Sequence, residues 1–145
     1  MDFDQQKFPV LLRGAWFGIN KAFRAKLESI SITPVQYTVL RNLIEGEGRV
    51  LRQQSLADSL STNKNNLADL LSRMEEKKLI NRHYNTKDQR YKSVSITKKG
   101  EQEFLRARKH AQVLQGEILS LFKKEEQDLL LSYFTRCSER LEEIS

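Results

Sequence analysis

Apolar side chains recur at helical spacing along the first part of the chain. From Phe8 to about Leu27 they follow one another at intervals of four and three residues, which is typical of a helix with one apolar stripe. Trp16 and Phe17 widen that stripe beyond that of a simple surface helix. The pattern predicts a first helix that is too apolar to face water.

A second helix is predicted to begin at Thr33. Thr33 suits the N-cap, Pro34 suits the first helical position, and Gln36 completes a capping box. Gly46 and Gly48 end the helical pattern.

The middle of the chain carries the patterns of two further helices and a hairpin. After a short extended piece at Val50-Leu51, one helix is predicted over Gln54–Leu60 and another from Thr62 to about Lys78. Alternation of apolar and polar residues in Leu79–Tyr84 and Lys92–Ile96 predicts two strands, which a polar and charged loop connects.

Two long helices are predicted to follow the hairpin. Thr97 can cap the first of them, which runs to about Leu121, and the second begins near Glu125. The apolar residues of the last helix form a short heptad stripe that includes the only cysteine, Cys137. We expect Cys137 to be buried there as a small hydrophobic residue.

The order of these elements predicts a winged helix-turn-helix, a fold that is mostly α with a small β-hairpin wing. We assign residues 1–145 to a single domain, 33–100 to the winged helix-turn-helix part, and 5–30 and 101–145 to dimerisation helices. A homodimer is the economical way to bury the apolar stripes of the terminal helices.

Positive charge is concentrated in one part of the chain. Residues 61–100 contain ten Lys and Arg against four Asp and Glu, whereas the remaining residues carry 15 of each sign. The whole formal net charge of +6 therefore lies in this stretch. So concentrated an excess favours a polyanion-binding surface over a solvated face. An anionic membrane surface is the weaker alternative, because it would need a long basic amphipathic helix.

Enzymatic and metal-binding motifs are missing from the sequence. It has no Gly-rich phosphate loop, no nucleophile elbow and no clustered His or Cys, and His83 and His110 lie far apart. We therefore expect no enzyme activity, cofactor or metal.

No apolar run approaches the roughly 20 residues of a membrane span, and the N-terminus lacks the features of a signal peptide. A single cysteine allows no intrachain disulfide, which fits a cytoplasmic location.

The helix predicted from Thr62 carries side chains that suit base reading. Asn can donate and accept hydrogen bonds at adenine, and Lys can reach guanine or phosphate. The N-terminal end of a recognition helix usually lies against the bases, whereas Arg73 further along suits phosphate. The alternative is that the Asn residues only cap and fray a helix start. The predicted DNA contacts of this helix are Thr62, Asn63, Lys64, Asn65, Asn66 and Arg73.

The loop of the predicted hairpin has three cations around one carboxylate. An Arg at a wing tip can enter a narrow minor groove, where the negative potential is deepest. Asp88 can hold the shape of the wing or orient a nearby Arg. The alternative is a solvated hairpin loop. The predicted DNA contacts of the wing are Lys87, Asp88, Arg90 and Lys92.

Several segments, in the same order along the chain, resemble the MarR family of bacterial regulators: 33–40, 56–60, 70–82, 88–90 and 94–100. The most specific part is the Asp-x-Arg of the wing, which leads into Ile96-Thr97-x-x-Gly100. The resemblance implies a homodimer with the first and last helices at its interface, two winged helices on a pseudo-palindromic duplex, and usually repression relieved by a small ligand. It also implies that Asp88 and Arg90 form the wing pair, with Arg90 in the minor groove.

The chain departs from the family pattern at two places. Lys78 stands where the family usually has glycine, and a left-handed residue other than Gly costs roughly 1 kcal/mol. We therefore expect the turn at Lys78 to differ locally. The thiol sensors of the family keep a reactive cysteine near the N-terminus, where this chain has none, so peroxide sensing is disfavoured.

Ligands of the family usually lie between the winged helix and the dimerisation helices. An aromatic wall with one cation suits an aromatic carboxylate, so the effector expected from the resemblance is a small aromatic or anionic molecule. Core packing with one surface arginine is the alternative interpretation of the same residues. The candidate ligand-binding residues are Arg13, Trp16, Phe17 and Tyr37.

The sequence thus predicts a transcription regulator that binds double-stranded DNA and acts as a repressor. The alternative is a winged-helix adaptor whose main partner is protein or RNA. The steep salt dependence of duplex binding separates DNA binding from a protein adaptor, and competition between duplex DNA and RNA separates it from RNA binding.

Overall fold

The secondary structure follows the predicted order of elements. The computed structural model describes residues 3–60, 62–85, 87 and 90–145, except for the side chains of 3–6, 85 and 90–92. Over these residues the elements are α1 (Phe3–Lys26), α2 (Pro34–Glu45), β1 (Val50–Arg52), α3 (Gln53–Ser59), α4 (Lys64–Glu76), β2 (Ile80–Asn85), β3 (Arg90–Ile96), α5 (Lys98–Leu119) and α6 (Lys124–Ile144).

The start of α2 is the capping box that the sequence predicts. The Gln36 backbone N–H donates to Thr33 Oγ1 at 3.2 Å, and the Thr33 N–H donates to Gln36 Oε1 at 3.1 Å. Pro34 occupies the first turn, where its missing N–H costs nothing. The capping-box prediction is therefore confirmed.

The wing is part of a three-stranded antiparallel sheet with the strand order β1-β3-β2. Leu51 of β1 and Arg82 of β2 both pair with Val94 of β3, so the extended piece at Val50-Leu51 becomes a third strand. A bulge between His83 and Tyr84 interrupts the alternation that the sequence suggests. The predicted hairpin is confirmed, and β1 enlarges it.

Residues 1–110 form one compact unit with an apolar core. Side chains from α2, α3, α4, α5 and the sheet meet there, and removal of their apolar surface from water is the main stabilising term. The fully buried side chains of these elements include Val39, Leu40, Leu43, Leu56, Leu71, Met74, Ile80 and Val94.

Residues 111–145 form the second unit, which contains the end of α5 and all of α6. Gln127 Nε2 donates to the backbone oxygens of Leu119 and Phe122 at 2.8 and 3.1 Å, which ties the two helices at their turn. No residue of α6 is buried. Cys137 is exposed for that reason, so the prediction of a buried cysteine is wrong for the single chain.

The turn after α4 keeps the left-handed geometry although it has no glycine. Lys78 adopts φ 62. The Leu79 N–H donates to Met74 O at 3.0 Å and the Lys78 N–H donates to Glu75 O at 2.9 Å, which together make a Schellman motif. The expectation that this turn would differ locally is therefore wrong: the two hydrogen bonds and the buried Leu79 hold Lys78 in the costly conformation.

We expect Lys78→Gly to stabilise the protein by about 1 kcal/mol, because glycine has no Cβ to strain a left-handed turn. Urea unfolding at a fixed protein concentration measures this change. Lys109→Gly is the matched control, since it places glycine inside α5 and should cost about 1 kcal/mol. A lower free energy of unfolding for Lys78→Gly would contradict the strain at this turn.

Candidate nucleic-acid interface

The third and fourth helices form a helix-turn-helix that holds α4 against the core. The Leu60 N–H donates to Leu56 O at 3.0 Å, and the Thr62 N–H donates to Ala57 O at 3.1 Å, which closes the turn between them. Leu56 and Ala57 of α3 and Leu67 of α4 are buried. The opposite face of α4 is therefore turned towards solvent.

The start of α4 is set by Asn63. Its side-chain Oδ1 accepts the Asn66 backbone N–H at 2.9 Å, and the helix begins at Lys64. The predicted helix start at Thr62 is therefore wrong by two residues, because Asn63 is the N-cap and Thr62 belongs to the turn. Asn63 therefore caps α4, and its predicted DNA contact stays a prediction.

The solvent face of α4 carries a polar ridge. Asn65, Asp69 and Arg73 are exposed and recur every four residues, so they lie in a row on one side of the helix. Lys64 and Asn66 are exposed at the N-terminal end of the same helix. The structure thus brings five of the six predicted α4 contacts together at the surface or cap, with Thr62 half-buried beside them.

The predicted contacts of the wing are described only in part. Lys87 is exposed between β2 and β3. Arg90 and Lys92 belong to β3, but their side chains lie outside the described residues, as does the whole of Asp88. The roles given to these residues stay predictions.

A half-buried ion pair, which the sequence did not point to, joins α4 to β2. The Arg82 side chain is 10% exposed, and its Nη2 and Nε lie 3.0 and 3.3 Å from Glu75 Oε1. The Arg82 backbone N–H donates to Glu75 Oε2 at 3.2 Å, and Nη2 also donates to Ser72 Oγ at 3.2 Å. Burial by itself would raise the pKa of Glu75, but the hydrogen bonds and the charge of Arg82 lower it below its usual value.

Other cations of the basic stretch also serve the fold. Lys77 Nζ donates to Ser31 O at 2.9 Å and to Gln36 Oε1 at 3.2 Å, and Lys99 Nζ donates to Lys77 O at 2.9 Å. With Arg82, at least three of the ten cations in residues 61–100 therefore make contacts within the protein. These three side chains therefore also hold elements of the fold together.

An open concavity of about 340 Å³ lies beside the start of α4. Its lining residues are Val35, Leu60, Thr62, Asn66 and Leu70. Two predicted DNA contacts, Thr62 and Asn66, therefore share a surface with the start of α2.

The described residues contain neither a metal-binding cluster nor a membrane-spanning helix. No group of three or more His, Cys, Asp or Glu within them can hold a metal ion. His83 Nε2 lies 2.8 Å from Ser95 Oγ on the sheet. No helix in the described part of the chain is long and apolar enough to cross a membrane.

Comparison with known sequences identifies the family. A sequence model of the MarR family matches residues 32–92. The transcriptional regulator HosA of Escherichia coli O127:H6 (strain E2348/69 / EPEC) is 30% identical over 100 residues, which are 69% of this chain and 73% of HosA. The chain belongs to the MarR family.

The MarR-family fold is also found in solved structures. A Staphylococcus aureus MepR–DNA complex matches 92% of this chain and 97% of MepR, with 23% identity and a TM-score of 0.83. Sco3205 of Streptomyces coelicolor, solved in complex with DNA, matches 97% of this chain and 89% of its own, with 19% identity and a TM-score of 0.85. The predicted winged-helix fold is confirmed.

MarR-family proteins are DNA-binding transcriptional regulators, so the predicted function class is confirmed and the chain is not an enzyme. The family resemblance stated from the sequence is confirmed with it.

The Ile96-Thr97-x-x-Gly100 motif, which carried part of the resemblance, has a structural explanation. Thr97 caps α5, because its Oγ1 accepts the Gly100 N–H at 3.0 Å.

The candidate ligand-binding residues of this MarR-family chain are placed in two settings. Arg13, Trp16 and Phe17 are exposed on α1. Tyr37 lies in an aromatic cluster, with its ring centroid 5.0 Å from those of Phe23 and Phe104. Burial raises the pKa of the Tyr37 hydroxyl, and the charges of Arg41 and Arg108 partly offset that rise. A ligand site at these residues stays a prediction.

Proposed function

We propose that this protein is a homodimeric repressor that binds a pseudo-palindromic duplex operator and is released by a small effector. The observation that carries the proposal is the exposed polar ridge of α4 beside the basic wing. Within residues 1–110 the core packing of α4 and the strand pairing of the sheet hold both on one body. A surface of this kind can place a helix in the major groove while the wing reaches the adjacent groove.

The assignment of contacts follows from chemistry and position. Asn65 and Asn66 stand at the N-terminal end of α4, where amide groups can pair with adenine edges. Lys64, Arg73 and Lys87 are exposed cations that suit phosphate oxygens. We assign base contacts to Asn65 and Asn66, and phosphate contacts to these three cations and Lys92. In the wing, Arg90 enters the minor groove and Asp88 orients it.

The homodimer is proposed from apolar surface that the single chain leaves open. Exposed apolar patches of this extent usually mark interfaces between proteins. A second copy covers the same residues on both subunits and closes the assembly with two-fold symmetry. The exposed large apolar residues include Phe8, Leu11, Leu12, Trp16 and Phe17 of α1 and Leu131, Tyr133, Phe134, Leu141 and Ile144 of α6.

Repression and release are the finer part of the proposal. A dimer on two half-sites covers about 20 base pairs, which excludes other proteins from that stretch of DNA. The effector that we propose is a small aromatic or anionic molecule, because exposed aromatic rings and the cation of Arg13 lie on the same face of α1.

Selection of bound sequences from random duplex DNA tests the proposed function. We expect enrichment of a two-fold symmetric motif whose half-sites lie about 10 base pairs apart, because each half-site receives one recognition helix of a dimer. Sedimentation of the same preparation should show a dimer at micromolar concentration. Failure to enrich any duplex, or binding of RNA in preference to duplex DNA, would exclude the proposed function. An asymmetric motif bound by a monomer would exclude only the dimer.

A further inference from the structure

The connection between the recognition helix and the hairpin is short. Only Lys77, Lys78 and Leu79 separate the end of α4 from the start of β2, and Lys78 is held left-handed. A small change of dihedral angle in so short a connection would rotate the hairpin relative to α4. A second attachment beyond the turn therefore adds to the core packing in fixing the angle between the two elements.

Arg82 supplies that attachment from β2. Its backbone N–H and its guanidinium bond different oxygens of the same Glu75 carboxylate, at 3.2 and 3.0 Å. Ser72 lies one turn before Glu75 and accepts a further hydrogen bond from the guanidinium. The main chain and side chain of Arg82 together contact two positions of α4, which fixes the orientation of β2 relative to the helix. A single contact would fix only the distance between them.

We propose that Ser72, Glu75 and Arg82 form a positioning clamp that sets the angle between the recognition helix and the wing, and thereby the sequence specificity of DNA binding. The inference rests on the proposed function, because it needs a specific operator. Arg82 is a positioning residue in this role and is not a phosphate contact, since its side chain is only 10% exposed and its Nε and Nη2 are directed at α4.

Specificity is more sensitive than affinity to such an angle. Base contacts need short, directed hydrogen bonds to particular groove edges, whereas phosphate contacts depend mainly on charge and tolerate small shifts. Loss of the clamp should therefore weaken binding to the operator more than binding to an arbitrary duplex. The ratio of the two affinities is the quantity that a positioning role controls.

The decisive variant is Glu75→Gln. Removal of a carboxylate near a polyanion should, by charge alone, strengthen binding to every duplex. The clamp predicts that Glu75→Gln instead weakens binding to the selected duplex. We expect an affinity about tenfold lower, which corresponds to the loss of roughly one base contact. Affinities for the selected duplex and for a mixed-sequence duplex of equal length are measured by fluorescence anisotropy, well below the thermal midpoint of each variant.

Two further variants and two controls complete the test. Arg82→Gln should lower the specificity ratio as Glu75→Gln does, while the dependence of affinity on salt keeps the slope of the unmodified protein. Ser72→Ala leaves both charges in place and should give a smaller loss of the same sign, which keeps the test decisive if a charge variant unfolds. Glu45→Gln and Arg41→Gln alter an exposed ion pair of α2 and should leave the ratio unchanged.

The outcomes separate the inference from the function on which it rests. An operator affinity that is unchanged or higher in Glu75→Gln overturns the clamp. A flatter salt slope in Arg82→Gln also overturns it, because Arg82 would then be a phosphate contact. An unmodified protein that enriches no duplex overturns the proposed function itself, and the clamp with it.

Discussion

The affinity of this protein for its operator is expected to fall by at least about 1,000-fold between 50 and 200 mM monovalent salt. Three cations of the α4 and wing surface have described and exposed side chains, Lys64, Arg73 and Lys87, so the proposed dimer presents at least six. Each phosphate that they neutralise releases condensed counterions, and six contacts give a slope of about −5 in a plot of log affinity against log salt.

Two matched substitutions test whether the salt dependence of affinity comes from the cations of the α4 and wing surface. Lys64→Gln removes one cation from each subunit and should flatten the slope by about 2 units. Lys124→Gln removes the same charge at the start of α6, where Lys124 pairs with Asp128, and should leave the slope unchanged. Fluorescence anisotropy over a salt series measures both. An affinity for duplex that does not change with salt would mean that the basic stretch does not face DNA.

Gly100→Ala is expected to destabilise the protein by about 3 kcal/mol, at the upper end of the usual cost of overpacking. A Cβ at this position would lie 2.1 Å from the Leu79 backbone oxygen and 3.0 Å from a side-chain carbon of Ile96. The Leu79 oxygen cannot easily move away, because it accepts the Thr97 N–H at 3.1 Å. Thr97 Oγ1 donates in turn to Lys78 O at 2.6 Å, so the turn and the start of α5 are bonded together.

Another glycine of the same helix provides the control. A methyl group on the Cα of Gly116 would meet no neighbouring atom within 4 Å, so Gly116→Ala should stabilise α5 by about 1 kcal/mol through helix propensity. Urea unfolding at equal protein concentration compares the two variants, because the stability of the proposed dimer would depend on concentration. Equal effects of the two substitutions would show that Leu79 does not crowd Gly100.

Local signals carried the parts of the fold that were predicted well. The capping box at Thr33 and Gln36 and the cap at Thr97 depend on residues three positions apart, so their chemistry can be read directly from the sequence. The exposed row on α4 follows from helical periodicity. The position of the N-cap within the run of polar residues at 62–66 was not decided locally, because several of these side chains can cap a helix.

Contacts between elements that lie far apart in the sequence could not be predicted from local patterns. Glu75 and Arg82 are ordinary charged residues in a charged stretch, and only the turn at Lys78 brings them within 3.0 Å. Lys77 counts as a free cation in the sequence, yet it bonds Ser31 and Gln36 more than forty positions away. The only feature of the sequence that pointed to the clamp is the three-residue spacing of Ser72 and Glu75, which places both on one side of α4.

By itself the sequence determined the family, the order of helices and strands, the concentration of positive charge and the polar face of the recognition helix, because each depends on residue type and local periodicity. Only the tertiary structure decided which cations face solvent and which hold the fold together. The tertiary structure alone explains why a lysine is tolerated in the left-handed turn at position 78 and why position 100 leaves no room for a side chain. Hydrogen bonds and close contacts between chain segments fix these features, and their free energy depends on distances that no local pattern contains.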